Sequence, residues 1–155
     1  MFKVYLAGFI QGTKIEECVA WRKKIREHYV MGGWDIVWLD PLNGKEFGSI
    51  TDDGLKSNIP AHAIVHRDYR SVEDSDLIIA NMDTFGESRP LTGTLCELAW
   101  AWDKHIPIIM ITDEKKYKDH PFLEYFASAI VPTVDKLLEE KLINYFYKGA
   151  NNAVY

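Results

Sequence analysis

The feature that most constrains this chain is a rhythm: short apolar runs alternate with segments whose apolar residues recur at helical spacing. Phe2 to Ala7 is an apolar run that stops at Gly8. Lys14 to Val30 then places Ile15, Cys18, Val19, Ile25 and Tyr29 on a helical repeat, which Gly32-Gly33 ends. Asp35 to Leu39 reads as a second strand and Pro60 to about Asp74 as a helix, with proline where its missing N–H costs nothing. Asp76 to Met82 is a third strand, followed by a helix from Gly93 to Lys104 with Leu95, Leu98, Ala99 and Trp102 assigned to its inner face. Ile106 to Thr112 is apolar without interruption, as a strand covered on both faces requires. A short helix at Pro121 to Ala127, a strand at Ala129 to Val131 and a helix from Thr133 to about Tyr147 complete the order.

Strands alternating with helices need right-handed crossovers, and these build a parallel sheet with helices on both faces. The expectation is an α/β flavodoxin-like three-layer α/β/α sandwich, with a five-stranded parallel sheet in the order 2-1-3-4-5. One domain is expected to span residues 1–155, a usual size for a single core. In such sheets ligands bind beyond the carboxyl ends of the strands. The segments after Leu6, Leu39, Asn81 and Thr112 should therefore converge, and two long polar loops, Asp40 to Asn58 and Asp83 to Thr92, lie among them.

Charge and motifs remove several classes of function. The net charge is −5 and no stripe of Lys and Arg is visible, which argues against a nucleic acid polymer as partner. A single phosphate on a small substrate remains compatible, because a few backbone N–H groups can hold it. MFKVYLAGFI is too short for a secretory signal and no apolar run could span a bilayer, so no membrane partner and a cytoplasmic location are expected. The two cysteines, Cys18 and Cys96, fit a reducing compartment. GFIQGTK has neither the dinucleotide fingerprint nor the P-loop order of Lys before Thr, and Ala7-Gly8 stands where a receiver domain would carry acids. His62 and His66 are four apart on one helix, for which two exposed histidines is the preferred reading; no metal and no other cofactor is expected. Five Trp and eight Tyr suit core packing and would also suit a pocket that stacks a flat ring.

The informative segment is RPLTGTLCELAWAW. It places Glu97 near the N-terminus of a helix, where the helix dipole would favour the ionised carboxylate that a nucleophile needs. The same position is also ordinary dipole compensation. Asp68, in AIVHRDYRSV, is a second acid carried toward the mouth of the sheet, unless it only pairs with Arg67 or Arg70 at the surface. Two carboxylates at a glycosidic carbon can divide the labour, one attacking while the other handles the proton of the leaving group.

Four segments, VYLAGFIQG, DPLNGKE, HRDYRSVEDSDLIIAN and GTLCELAWAWDKHIPIIMI, together resemble the nucleoside 2-deoxyribosyltransferase family, in order, over about residues 3 to 112. The resemblance implies that Glu97 attacks C1′ of the deoxyribose, that Asp68 helps protonate the departing base, and that Tyr5 orients Glu97. It also implies a substrate pocket drawing on Gly8, Asn43, Gly93 and Thr94, and Asn81, at the end of the third strand, is a further candidate substrate-binding residue. One departure matters: the family's base-binding Asp, six residues before the nucleophile, is Leu91 here. Related hydrolases of deoxynucleoside monophosphates commonly have Ser there, and this chain lacks that too; Ser88, Arg89 and Thr92 nearby would suit a phosphate.

Three functions follow as expectations. The first is a transferase moving deoxyribose between bases, with a nucleoside or nucleotide and a free base as its small-molecule partners. The second is an N-glycosidase of nucleosides or nucleoside 5′-monophosphates, with water as acceptor. The third is a non-catalytic nucleotide-binding module. The ending NNAVY resembles that of transferases whose last tyrosine reaches a neighbouring subunit, and with Tyr145, Phe146 and Tyr147 it suggests a homo-oligomer.

Overall fold

The computed structural model describes residues 1–45 and 59–147, so most of the first polar loop and the NNAVY ending lie outside the described residues. The chain runs β1 (Phe2–Gly8), α1 (Ile15–Met31), β2 (Ile36–Leu39), α2 (Ala61–Glu73), β3 (Leu77–Asn81), α3 (Thr92–Asp103) and β4 (Ile108–Ile111). It continues with α4 (Lys115–Lys118), α5 (Pro121–Phe126), β5 (Ala129–Val131), α6 (Val134–Glu139) and α7 (Leu142–Phe146). The five strands are all parallel in the order β2-β1-β3-β4-β5, the expected flavodoxin-like sandwich.

Because side chains alternate along a strand, β1 feeds two separate cores. Phe2, Val4 and Leu6 pack with Trp21, Ile25 and Tyr29 of α1 and with Leu137 and Ile143 of α6 and α7. Tyr5 and Ala7 face the other way, toward Val72 of α2, Leu98 and Ala101 of α3 and Leu123 of α5. Tyr5 therefore stands on the α2/α3 side of the sheet, opposite Val4 and Leu6 as alternation along a strand requires. Gly33, at φ +73°, turns the chain out of α1, a conformation that a side chain would strain. At Gly8 the need is room: a Cβ would lie 2.9 Å from the Trp21 ring and 3.4 Å from the Arg22 guanidinium.

Three expectations are corrected. The inner face of α3 is Thr94, Glu97, Leu98 and Ala101; Leu95, Ala99 and Trp102 are exposed. The i, i+3, i+4, i+7 stripe is one step round from the one first assigned, and it includes an acid that hydrophobicity could not place there. The C-terminal helix is broken at Lys141, which adopts left-handed φ 52°, so that α7 can fold back and bury Ile143. Of the three aromatics that suggested a self-contact, Phe146 and Tyr147 are instead packed on the core, Tyr147 edge-on to Phe2 and Trp34. Of these three Tyr145 alone is exposed; exposed Trp102, Phe122 and Tyr125 form another aromatic group, Trp102 touching Tyr125 and, through Phe126, Phe122.

Candidate active site

Beyond the carboxyl end of β1, between the starts of α2 and α3, lies a cavity of about 600 Å³. Both acids singled out from the sequence line it. Glu97 arrives on α3 and its Oε1 accepts a hydrogen bond from the Tyr5 hydroxyl at 2.7 Å, a contact between residues 92 apart in the chain. Asp68 arrives on α2, where Ala61, Ile64 and Asp68 form the stripe facing the cavity and Val72, one turn on, anchors that helix to the core. Asp68 is both an ion-pair partner and a buried group: Arg67 donates to its Oδ1 from Nε and from the terminal guanidinium nitrogen at 3.3 and 3.1 Å. Arg70 is engaged by Glu73 instead.

The electrostatics of Glu97 reverse the sequence expectation. It sits in the second turn of α3, beyond the reach of the helix terminus, and burial dominates its titration. Loss of solvent pushes Glu97 up to about 7; the Tyr5 hydrogen bond opposes that shift, the negative charge of Asp68 adds to it, and Arg22 and Lys45 pull it back. Burial also raises Asp68, against the pull of Lys45 and Arg67. Tyr5 is held well above the usual phenol range, first by burial and then by the two carboxylates, so it stays a hydrogen-bond donor.

Beneath the site lies a buried cation that sequence reading passed over. Arg22 is fully buried on α1, with its guanidinium over the Trp21 ring, and donates to the carbonyls of Cys18, Leu6 and Gly8. Its Nε lies 3.5 Å from Asp40, which also pairs with Arg26 at 2.9 Å. Leaving a buried charge unpaired costs on the order of 3–5 kcal/mol, which this network avoids. The available signal was an arginine on the apolar stripe of Cys18, Ile25 and Tyr29. Lys45 was also missed; it is the basic residue of DPLNGKE and it lines the cavity.

Of the expected substrate-binding residues, Gly8, Arg89, Thr92, Gly93 and Thr94 line the cavity. Arg89 lies against the Gly12 turn, with its Cδ 3.4 Å from where a Cβ would be. No side chain caps α3, and the first N–H groups of a helix have no intrahelical acceptor. Asn43, Asn81 and Ser88 are not among the lining residues. Asn43 is exposed and offers its carbonyl to Arg67; Asn81 is buried and turns its side-chain oxygen to the Asp83 N–H; Ser88 is exposed. Leu91, the departure noted in the sequence, is buried and forms part of the wall. Among the described residues the only aromatic in the wall is Phe9, so the Trp and Tyr content serves the cores and the surface. No group of three or more His, Cys, Asp or Glu able to hold a metal occurs among the described residues, and none of their helices is long and apolar enough to cross a membrane.

Comparison with known proteins places this geometry. A search of curated proteins by sequence finds no match. Among solved structures, a CMP N-glycosidase from Clostridium botulinum is 18% identical, with a TM-score of 0.57 and coverage of 92% of this chain and 98% of that one. A 2-deoxyribosyltransferase from Leishmania mexicana is 22% identical, with a TM-score of 0.52 and coverage of 76% and 71%. A molybdenum cofactor binding protein from Rippkaea orientalis is 16% identical, with a TM-score of 0.55 and coverage of 93% and 97%. At these identities the likeness is one of fold, and its range of ligands shows that the fold alone does not choose among them. The sequence profile of Nucleoside 2-deoxyribosyltransferase, however, matches residues 4–146. This chain therefore belongs to the nucleoside 2-deoxyribosyltransferase family, and it is an enzyme of glycosyl transfer or N-glycoside cleavage.

Proposed function

We propose that the enzyme cleaves the N-glycosidic bond of 2′-deoxynucleosides or their 5′-phosphates through a covalent glycosyl-Glu97 intermediate, and passes the sugar to a second base. The observation that carries this reading is the Tyr5–Glu97 hydrogen bond at a cavity that Asp68 also lines. A carboxylate held by a phenol has one rotamer and one lone pair aimed by the fold, which is what attack on a fixed carbon needs. In the first half-reaction the C1′–N bond breaks with its electron pair going to the base nitrogen, and an ester forms between Glu97 and C1′. Asp68, its acidity weakened by burial, supplies the proton that the departing base takes up. In the second, a new base attacks C1′, Glu97 leaves as carboxylate, and Asp68 recovers the proton. The chemistry calls for no metal and no cofactor.

Hydrolysis of a nucleoside 5′-monophosphate is a second reading. It is favoured by Arg89, which has no carboxylate partner among the described residues and stands beside the uncapped start of α3, where a phosphate would meet a cation and free N–H groups. The match in fold to a CMP N-glycosidase points the same way. Incubation of the enzyme with deoxynucleosides and with their 5′-monophosphates, each with and without a second free base, separates the two. Exchange of base carries the transferase; free sugar or sugar phosphate unaffected by added base carries the hydrolase. Failure to release base from every substrate would overturn both. A homo-oligomeric state, read by light scattering, is part of the proposal, with the exposed Trp102, Phe122 and Tyr125 group as its contact.

The pH profile tests the role of Tyr5. Attack requires ionised Glu97, so kcat/KM should rise as pH climbs through about 7. Tyr5→Phe removes the hydrogen bond that favours the ionised form, so the acid limb should move to higher pH, with about a tenfold loss at pH 7 and a smaller one at pH 9. A lower plateau with an unmoved limb would show that Tyr5 does not act on the carboxylate.

A further inference from the structure

Three residues in or beside the cavity are unused by the mechanism above: Lys45 and Leu91, which line it, and Arg67, which bonds to Asp68. Arg67 is a three-way clamp. Besides Asp68 it donates to the carbonyls of Pro41 and Asn43, both at 2.6 Å, and so pins the turn after β2 to α2. That turn is braced from within: Asp40 Oδ1 accepts from the Leu42 N–H, the Asp40 carbonyl from Asn43 N–H, and the Leu42 carbonyl from Lys45 N–H. The consequence is positional. Lys45 and Asp68, both lining the cavity, stand on the turn and the helix that one guanidinium joins and feel each other's charge, while Arg89 lies against the Gly12 turn.

With the sugar at Glu97, the end holding the proton-handling Asp68 is where the base must lie. Leu91 brings an apolar side chain to the wall, and Asp68 and Lys45 are the charged lining residues on the helix and the turn that Arg67 joins. We infer that Lys45 is the specificity-determining residue of the base subsite, its ammonium donating to an acceptor on the base edge and so selecting 6-oxopurines and 4-oxopyrimidines over their amino counterparts. The inference rests on the function proposed above.

The reason is an asymmetry in donors. An ammonium has three donors and no acceptor, whereas Asp68 can accept, or donate once protonated. A carbonyl oxygen facing Lys45 gains a charge-assisted hydrogen bond. An exocyclic amino group in its place sets donor against donor, and both lose solvent without a partner. Burial already weakens the hold of Lys45 on its proton, with Asp68 and Glu97 opposing that effect, so a base that supplies an acceptor replaces solvation the cavity has removed. The same cation lies where negative charge gathers as the C1′–N bond breaks, so its effect falls on kcat/KM as well as on binding.

The test compares substrates that differ only at this group. Base release is followed in single turnovers, with enzyme in excess so that slow variants can be read, on deoxyinosine against deoxyadenosine and deoxyuridine against deoxycytidine, each also as the 5′-monophosphate. Intrinsic reactivity differs within each pair, so the quantity read is the change in the oxo-to-amino ratio. Lys45→Met should lower that ratio at least tenfold, and Lys45→Arg, which keeps the donors, should hold it within about threefold of wild type. An unchanged ratio in Lys45→Met overturns the inference, equal loss on all substrates included, and leaves the Glu97 chemistry standing. A wild-type protein that releases base from none of them overturns the underlying function instead.

Discussion

Glu97→Ala should reduce base release by at least about 10⁴-fold, because the covalent step has no other carboxylate aimed by a hydrogen bond at the same point. Glu97→Gln should be equally inactive, and it carries a second signature in stability. The side chain of Glu97 holds its proton up to about pH 7 in the folded protein, against 4.5 as its unperturbed value. Between those two values the folded state binds more protons than the unfolded one, so this group makes stability fall as pH rises, and the loss is complete above about 7. Glutamine has no such proton and keeps an oxygen for Tyr5. The variant should therefore melt close to wild type near pH 4.5 and several degrees above it at pH 8, from a difference of roughly 2–3 kcal/mol at most. Thermal melts at the two pH values, run beside the activity assay, read both effects. Activity that survives in either variant would remove Glu97 from the chemistry. A melting difference that does not grow with pH would mean the carboxylate is solvated in the folded state.

Asp68→Asn should cost about 10²- to 10³-fold on ordinary deoxynucleosides, the usual worth of a positioned acid. The loss should shrink below about tenfold on 7-methyl-2′-deoxyguanosine, whose base already bears a positive charge and departs without a proton. Arg67 retains its bonds to Pro41 and Asn43 in this variant, so the turn holding Lys45 stays in place and the comparison reads proton transfer rather than collapse of the wall. Equal losses on both substrates would assign Asp68 to binding alone.

Both predictions concern residues legible before any coordinates, though for different reasons. Glu97 stood out by its place near the start of a helix and Asp68 as a second acid carried toward the mouth of the sheet, and four segments together carried the family resemblance. Arg22 and Lys45 stayed hidden because a basic residue on an amphipathic helix or in a polar loop is ordinary by local pattern. Only a neighbour distant in sequence, Asp40 for one and the Arg67 clamp for the other, makes it otherwise. Asn43 was nominated by the family resemblance and Asn81 and Ser88 by their place along the chain, and neither sets the direction of a side chain.

By itself the sequence determined the element order and the parallel five-stranded sheet, because periods of 2 and 3.6 residues distinguish strand from helix and their alternation requires parallel crossovers. It could not determine which stripe of α3 turns inward, nor the protonation of Glu97. Those were decided by packing: only when α3 is laid against β1 does the carboxylate lose its water and meet the Tyr5 hydroxyl, and desolvation outweighs the helix dipole that the linear reading had relied on.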